Sequence, residues 1–368
     1  MQHTRDRERL AGDINAAVPP FRGASNRKRL RICHLVMILT CCIVTCPSTT
    51  SADDLLADRE FTLGGTKFSL VEHRDQLTGP NDHLGSLLFD TSGRIVLHGN
   101  RVAWMYTGGL IDGKWISFVR EFELASMKPD TRSIILTPLA DEKWSTIHLV
   151  IRVAADFHVA FYSTGSVVRA AVSERPHTGF AAAAGFEIAP SQDWERGCSL
   201  ESDPGFVPIH EDAEEFRMWI LYDTLGPQNH GHNGWADVRI DKRRRTVSLM
   251  GKHPQNPLAL RLANRATART GGNIDSQFRL ANQHYLMAYL SKPDDRTYRL
   301  AFATSPDPLF QRIDENREVA GPLGEESVIE KFHWFVDNRE LVMFYEYANP
   351  ENDWRTAIRR YRLEQTNR

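Results

Sequence analysis

Cysteine is nearly absent from most of this chain: four of its five cysteines (Cys33, Cys41, Cys42 and Cys46) crowd into one short stretch, and only Cys198 lies beyond it. A disulfide framework is therefore excluded for the rest of the sequence, which must be held by an apolar core. Long apolar runs are lacking too. The one markedly apolar stretch, residues 32–46 (ICHLVMILTCCIVTC), carries no charge and spans fifteen residues, short of the roughly 20 that cross a bilayer as a helix. Excess positive charge is also missing from the main part of the chain. Eight of the 45 basic and three of the 47 acidic residues fall in 1–52, leaving 37 against 44, a formal balance of −7. A mildly acidic domain of this kind is not expected to bind nucleic acid.

The start of the chain is different material. Residues 1–31 hold all eight of those basic residues, the uncharged stretch 32–46 follows, and small residues (Thr50, Ser51, Ala52) then precede Asp53 and Asp54. A basic segment, an apolar core of this length and a small-residue cleavage site together read as a secretory signal. Residues 1–52 are thus expected to direct export, and 53–368 to form one domain with no stable membrane insertion after cleavage.

A repeated shape dominates that domain. Apolar runs carrying a tyrosine recur as VAWMYT (Tyr106), VAFYST (Tyr162), WILYDT (Tyr222), LMAYLS (Tyr289) and VMFYEY (Tyr345), at steps of 56, 60, 67 and 56 residues. Around Tyr289 the run Tyr285 to Leu290, a polar turn and the run Tyr298 to Thr304 form an antiparallel hairpin. A lone hairpin is marginal in water, so such units must pack against one another. Radial repetition that closes on itself answers this need, and five units predict an all-β, five-bladed β-propeller. FTLGGTKFSLV near the start is expected to supply the strands that close the ring, and GFAAAAGFEI to form a tightly packed strand.

In a propeller the first strand of each blade lines the central channel, so ionisable groups at the unit openings share one mouth. These are Asn81-Asp82, Glu201 with Asp203-Pro204, Asn273 with Asp275, and Glu325-Glu326. Carboxylates gathered in one place repel and push pKa values up, and glycoside hydrolysis uses such a set: one protonated acid and one carboxylate as base or nucleophile. His230 and His232, in a Gly-containing loop, are candidate substrate contacts; an isolated His-x-His is weak as a metal site, and no metal ligand set is assigned. Trp194 and Trp235 are candidate stacking platforms for a sugar ring. The basic run 242–245 reads as a solvated turn, and Asp307 as a turn residue.

The unit pattern, with its second strand ending Ala301-Phe302-Ala303-Thr304-Ser305-Pro306-Asp307, resembles the blades of five-bladed glycoside hydrolases of families 43 and 32 over about residues 75–365. The resemblance implies roles for particular residues. Asn81-Asp82 with Gly85 is similar to an Asn-Asp-Pro-Asn-Gly motif, with His83 and Leu84 in place of Pro and Asn, and would make Asp82 the base or nucleophile. Ser202-Asp203-Pro204 resembles an Arg-Asp-Pro motif lacking its arginine and would make Asp203 an orienting acid. No glutamate occurs between Glu215 and Glu315, where the family 32 order has its proton donor, which leaves Glu201 or Glu326 for that part. The implied protein is a monomeric glycosidase needing no cofactor, with a structural calcium left open; the alternatives are a non-catalytic glycan-binding propeller and a sialidase-like or lyase enzyme.

Overall fold

A computed structural model describes residues 59–366, apart from 79–81, 99–100, 124–125, 127, 130–131, 227–231, 259–272, 276, 292–298, 321–327, 350 and 352. The basic segment and the signal read in 1–52 lie outside the described residues. Apart from one 3-10 turn, Asp193–Glu195, regular structure among the described residues is all strand. No helix there is long and apolar enough to cross a membrane.

Each tyrosine-bearing run is a strand paired antiparallel to its neighbours in sequence. Tyr106 lies in Arg101–Ile111, Tyr162 in Phe157–Ser163, Tyr222 in Glu215–Leu225, Tyr289 in Tyr285–Ser291 and Tyr345 in Glu340–Ala348. All five rings are at most 1% exposed. Their hydroxyls still find partners, as a buried phenol must: Tyr106 donates to the Pro176 carbonyl at 2.8 Å, Tyr162 to Glu142 at 2.9 Å and Tyr222 to Glu195 at 2.6 Å. The recurrent tyrosine is thus a core ring with one polar tether. The turns follow the local chemistry: Asp112 and Gly113 (φ 49° and 75°) join Arg101–Ile111 to Lys114–Glu123, the left-handed pair that a two-residue hairpin requires.

The strands form four sheets. Two are simple four-stranded meanders: Ser199–Glu211, Glu215–Leu225, Asn233–Asp241 and Thr246–Lys252; then Asn273–Ile274, Tyr285–Ser291, Arg299–Ser305 and Glu315–Ala320. A five-stranded sheet joins the two extremes of the described chain, since Thr66–Arg74 pairs along Trp354–Gln365 from Thr66↔Gln365 to Arg74↔Ile358. The expected closing strands are therefore present. The largest sheet has ten strands because two successive units are fused by a parallel pairing of His83–Asp90 with Thr146–Ala154, through Leu88↔Val150, Phe89↔Ile151 and Asp90↔Arg152.

The first strand of each unit touches the next in a closed cycle: His83–Asp90, Thr146–Ala154, Ser199–Glu211, Asn273–Ile274, Val328–Asp337 and back to His83–Asp90. Apolar side chains fill the wedges between sheets, with Leu87, Phe161, Ile220 and Phe344 in one cluster and Phe61, Trp235, Tyr289 and Trp334 in another. Ala181–Ile188 departs from expectation. Its alanines have too little surface to bury, and it lies at a sheet edge with five of its eight residues exposed.

Approach at the centre of the cycle is close. A Cβ on Gly85 would lie 2.0 Å from the Ile147 carbonyl oxygen of the adjoining strand. Because that oxygen is backbone, it cannot swing away. Gly85→Ala is expected to cost about 1–3 kcal/mol of overpacking, read as a lower denaturant midpoint with an unchanged m-value.

Candidate active site

Lys331 is the charge at the centre of this convergence. The pairing of Val328–Asp337 with Glu340–Ala348 slips between Glu330 and Phe332, and Lys331, the extra residue, has φ 29°. A bulge of this kind re-aims one side chain without ending the strand. Lys331 Nζ lies 3.2 Å from Glu201 Oε2. Burial alone would strip its proton, but the attraction of Glu201, Asp223, Asp203 and Glu346 outweighs that effect and raises its pKa well above the usual lysine range.

A second irregularity places Asp203. Along Ser199–Glu211 the register against Glu215–Leu225 slips between Ser202 and Phe206, and Asp203 falls in the gap with its side chain wholly buried. Its Oδ2 accepts a hydrogen bond from Asn233 Nδ2 at 2.6 Å, while Oδ1 is buried with no hydrogen-bond partner among the described residues. Burial first, then the charges of Asp223 and Glu201, push its pKa well up, against the pull of Lys331 and Asn233. The Asp203 carboxyl is thus held toward its protonated form relative to an exposed aspartate. Glu201, two residues earlier, is ion-paired and its side chain is 14% exposed. Of the four carboxylates around Lys331 it is the one that meets solvent, the others being at most 4% exposed. Two neighbouring carboxyl groups in such different surroundings, one ion-paired and one pushed up by burial, are the raw material of acid–base chemistry.

Histidines complete the cluster. His83 Nδ1 lies 3.1 Å from Glu346 Oε2, the oxygen that also accepts the Leu84 backbone N–H at 3.0 Å. The His83 ring is bracketed by Trp115, edge-on at 4.6 Å between centroids, and Trp354 at 4.9 Å. Deeper in, His333 Nε2 donates to the Gly85 carbonyl at 2.9 Å, and neither ring nitrogen of His148 has a hydrogen-bond partner among the described residues. Burial, aided by Lys331, pushes both of these histidines down, His333 to about 3.

These shifts have a measurable sign. An unfolded histidine takes up its proton near pH 6.5, whereas His148 and His333 stay neutral in the fold, so the unfolded chain binds more protons below that pH. Each then removes up to about 1.4 kcal/mol per pH unit as the pH falls from about 6.5. Asp203 acts oppositely, because the fold keeps its proton above its unfolded value near 3.9 and gains as the pH falls. With His158 also pushed down, to about 4, and Asp275 also raised, three depressed histidines stand against two raised carboxyls, and a net loss of stability is expected as the pH falls from 6.5 to 5. Urea unfolding across that range measures it, and His333→Gln should flatten the slope.

The other candidates fall in various places. Asp82 is 4% exposed, with its carboxylate gripped by Arg120 and Arg132. It precedes the strand His83–Asp90, and alternation sends its neighbour His83 toward the cluster instead. Asp275 caps a turn, accepting the backbone N–H groups of Gln277 at 2.8 Å and Phe278 at 3.3 Å. Trp235 offers no ring face to a sugar: it is fully buried and donates through Nε1 to the Leu309 carbonyl at 2.8 Å. Trp194 is half-buried, stacks on Tyr222 and meets the exposed His232 edge-on at 6.2 Å. Asp307 is the expected turn residue, accepting from Leu309 and Gln311. Asn81, His230, Glu325 and Glu326 lie outside the described residues.

Lys331, His83, Glu346, His148, His333 and Asn233 escaped the sequence reading. A signal was there for one of them: in Phe332-His333-Trp334 a polar residue stands between two aromatics, so its side chain takes the face opposite theirs.

The class defined by this geometry is an all-β ring of antiparallel units with an ionisable cluster at the convergence of their first strands. Solved structures agree at the level of fold. One described as a glycoside hydrolase matches at a TM-score of 0.53 and 13% identity, over 79% of this chain and 91% of its own. A complex of BT0996 and RGII matches at 0.52 and 12%, with the same coverage. A GH43_1 enzyme from Xanthomonas citri complexed with xylotriose gives 0.48 and 11%, over 77% of this chain and 88% of its own. The expected likeness to glycoside hydrolases is thus present in fold, at low identity. No family model matches the sequence, and no curated protein does.

Proposed function

We propose that this chain is an exported glycoside hydrolase built as a five-bladed propeller, with Glu201 as the carboxylate that reacts at the glycan. The closed cycle of five first strands supports the blade count. The fold shared with a glycoside hydrolase supports the reaction class, and the basic segment followed by residues 32–46 supports export. The observation that carries the catalytic reading is the contrast within the cluster: Glu201 ion-paired with Lys331 and partly exposed, Asp203 wholly buried beside it with its pKa pushed up. Lys331 is the ion partner of Glu201, and burial disfavours a second charge on Asp203 beside it. Asp82, neutralised by two guanidinium groups, serves in this reading as an anchor for the strand opening.

A second reading has its own support. The burial of Asp203 and the pairing of Asp82 leave few open acids, as suits a propeller that binds a glycan and leaves it intact. Incubation of the purified protein with arabinan, xylan, fructan and mannan oligosaccharides separates the two. New reducing ends that disappear with Glu201→Gln support hydrolysis, whereas retention of an oligosaccharide on the protein with no new reducing ends supports binding alone.

A further inference from the structure

From the geometry around His83 we propose that its imidazole is the proton donor to the leaving sugar oxygen, with Glu346 as its positioning residue. The inference rests on the hydrolase reading and adds to it the group that Glu201 lacks as a partner. Three observations carry it. His83 occupies the strand opening where the sequence suggested Asp82, but faces the cluster and keeps 22% of its side chain exposed. Glu346 Oε2 holds Nδ1 at 3.1 Å and is itself fixed by the Leu84 N–H, so the ring is oriented by a carboxylate only 2% exposed. With Nδ1 turned to the Glu346 carboxylate, Nε2 is the nitrogen on the far side of the ring from that carboxylate. Trp115 and Trp354, both half-buried, bracket the imidazole, and an aromatic wall beside a proton donor suits the apolar face of a sugar ring.

The ionisable groups nearest His83 are Glu346, on Nδ1, and His148, on the neighbouring strand, with Lys331 acting on both of these. In the reaction the bond between the anomeric carbon and the leaving oxygen breaks with its electron pair going to that oxygen, which takes the proton from His83 Nε2. A water oxygen bonds to the anomeric carbon and gives its proton to Glu201. The products are a free sugar and an alcohol, and solvent returns one proton to His83 and removes one from Glu201.

The test uses aryl α-L-arabinofuranosides and β-D-xylopyranosides with two leaving groups, 4-methoxyphenol, which needs protonation, and 2,4-dinitrophenol, which does not. His83→Asn is expected to lower kcat/KM about 10²–10⁴-fold on the methoxyphenyl glycoside and less than tenfold on the dinitrophenyl one, whereas Glu201→Gln lowers both. Glu346→Gln should move the His83 imidazole midpoint, followed by NMR, down by about one pH unit and the alkaline limb of kcat/KM with it; Glu346→Asp should restore part of both. Equal losses on the two leaving groups, or a His83 midpoint unmoved by Glu346→Gln, overturn the dyad and leave the role of Glu201 standing. Hydrolysis undiminished by Glu201→Gln, or no hydrolysis of any of these glycosides by the native protein, overturns both.

Discussion

Glu201→Gln is expected to lower kcat/KM on a cleavable glycan by about 10²–10⁴-fold while the thermal midpoint moves by no more than a few degrees. The two outcomes come from different properties of one side chain. Glutamine keeps the shape of glutamate and can still accept a hydrogen bond from Lys331, which retains Asp203, Asp223 and Glu346 as partners. What is lost is the negative charge at the one carboxylate of the cluster that reaches solvent. An amide cannot take a proton from water, so the loss should appear in kcat with KM little changed. Hydrolysis and melting measured on one preparation decide the matter. A variant that stays folded and keeps full activity would remove Glu201 from the chemistry.

Lys331→Met should have the largest effect on stability. The methionine fits the space but withdraws the one positive charge that Glu201, Asp223, Asp203 and Glu346 share. Breaking a buried ion pair from one side typically costs about 3–5 kcal/mol, and because the Lys331 and Glu201 side chains keep 18% and 14% of their surface exposed, the loss here is expected at or below the lower end of that range. The sign of the pH dependence follows. With the ammonium gone, the pull that lowers the Asp203 pKa is lost, and that pKa rises further above its unfolded value. The variant then binds more protons folded than unfolded, so the deficit shrinks as the pH is lowered through the range where that carboxyl protonates. Guanidinium unfolding at pH 7 and pH 5 should show a large gap between native and variant at the first and a smaller one at the second. Equal unfolding free energies at pH 7 would mean that the cluster is solvated and that Lys331 does not hold it together.

Much of the fold could be read from the sequence because its repeat is made of short-range signals. The runs around Tyr106, Tyr162, Tyr222, Tyr289 and Tyr345 are continuous apolar stretches of strand length, and the Asp112-Gly113 turn fixes its hairpin locally. The cluster was harder to read, for a physical reason. Lys331 and Asp203 owe their directions to register slips, and a bulge is set by the partner strand, which composition does not reveal. Asp82 was singled out over His83 because the residue type suggested chemistry, yet side-chain alternation at the strand opening turned one toward Arg120 and Arg132 and the other toward Glu346. Trp235 misled in the same way: its place beside the histidine loop pointed to a ligand, but its ring completes the packing between sheets. Glu201 was named from sequence, although its ammonium partner lies 130 residues away.

Residues that lie 301 positions apart, Gly65 and Thr366, are hydrogen-bonded where the two extremes of the described chain meet. Contacts so remote in sequence make for slow folding, since closure entropy must be spent before they form. Until Trp354–Gln365 is delivered to its place beside Thr66–Arg74, that strand and its neighbours present bare edges that a second nascent molecule can pair with. Assembly of this protein should therefore be sensitive to concentration at its final step, and a synthetic peptide matching residues 354–365, added during refolding, should slow the recovery of native fluorescence.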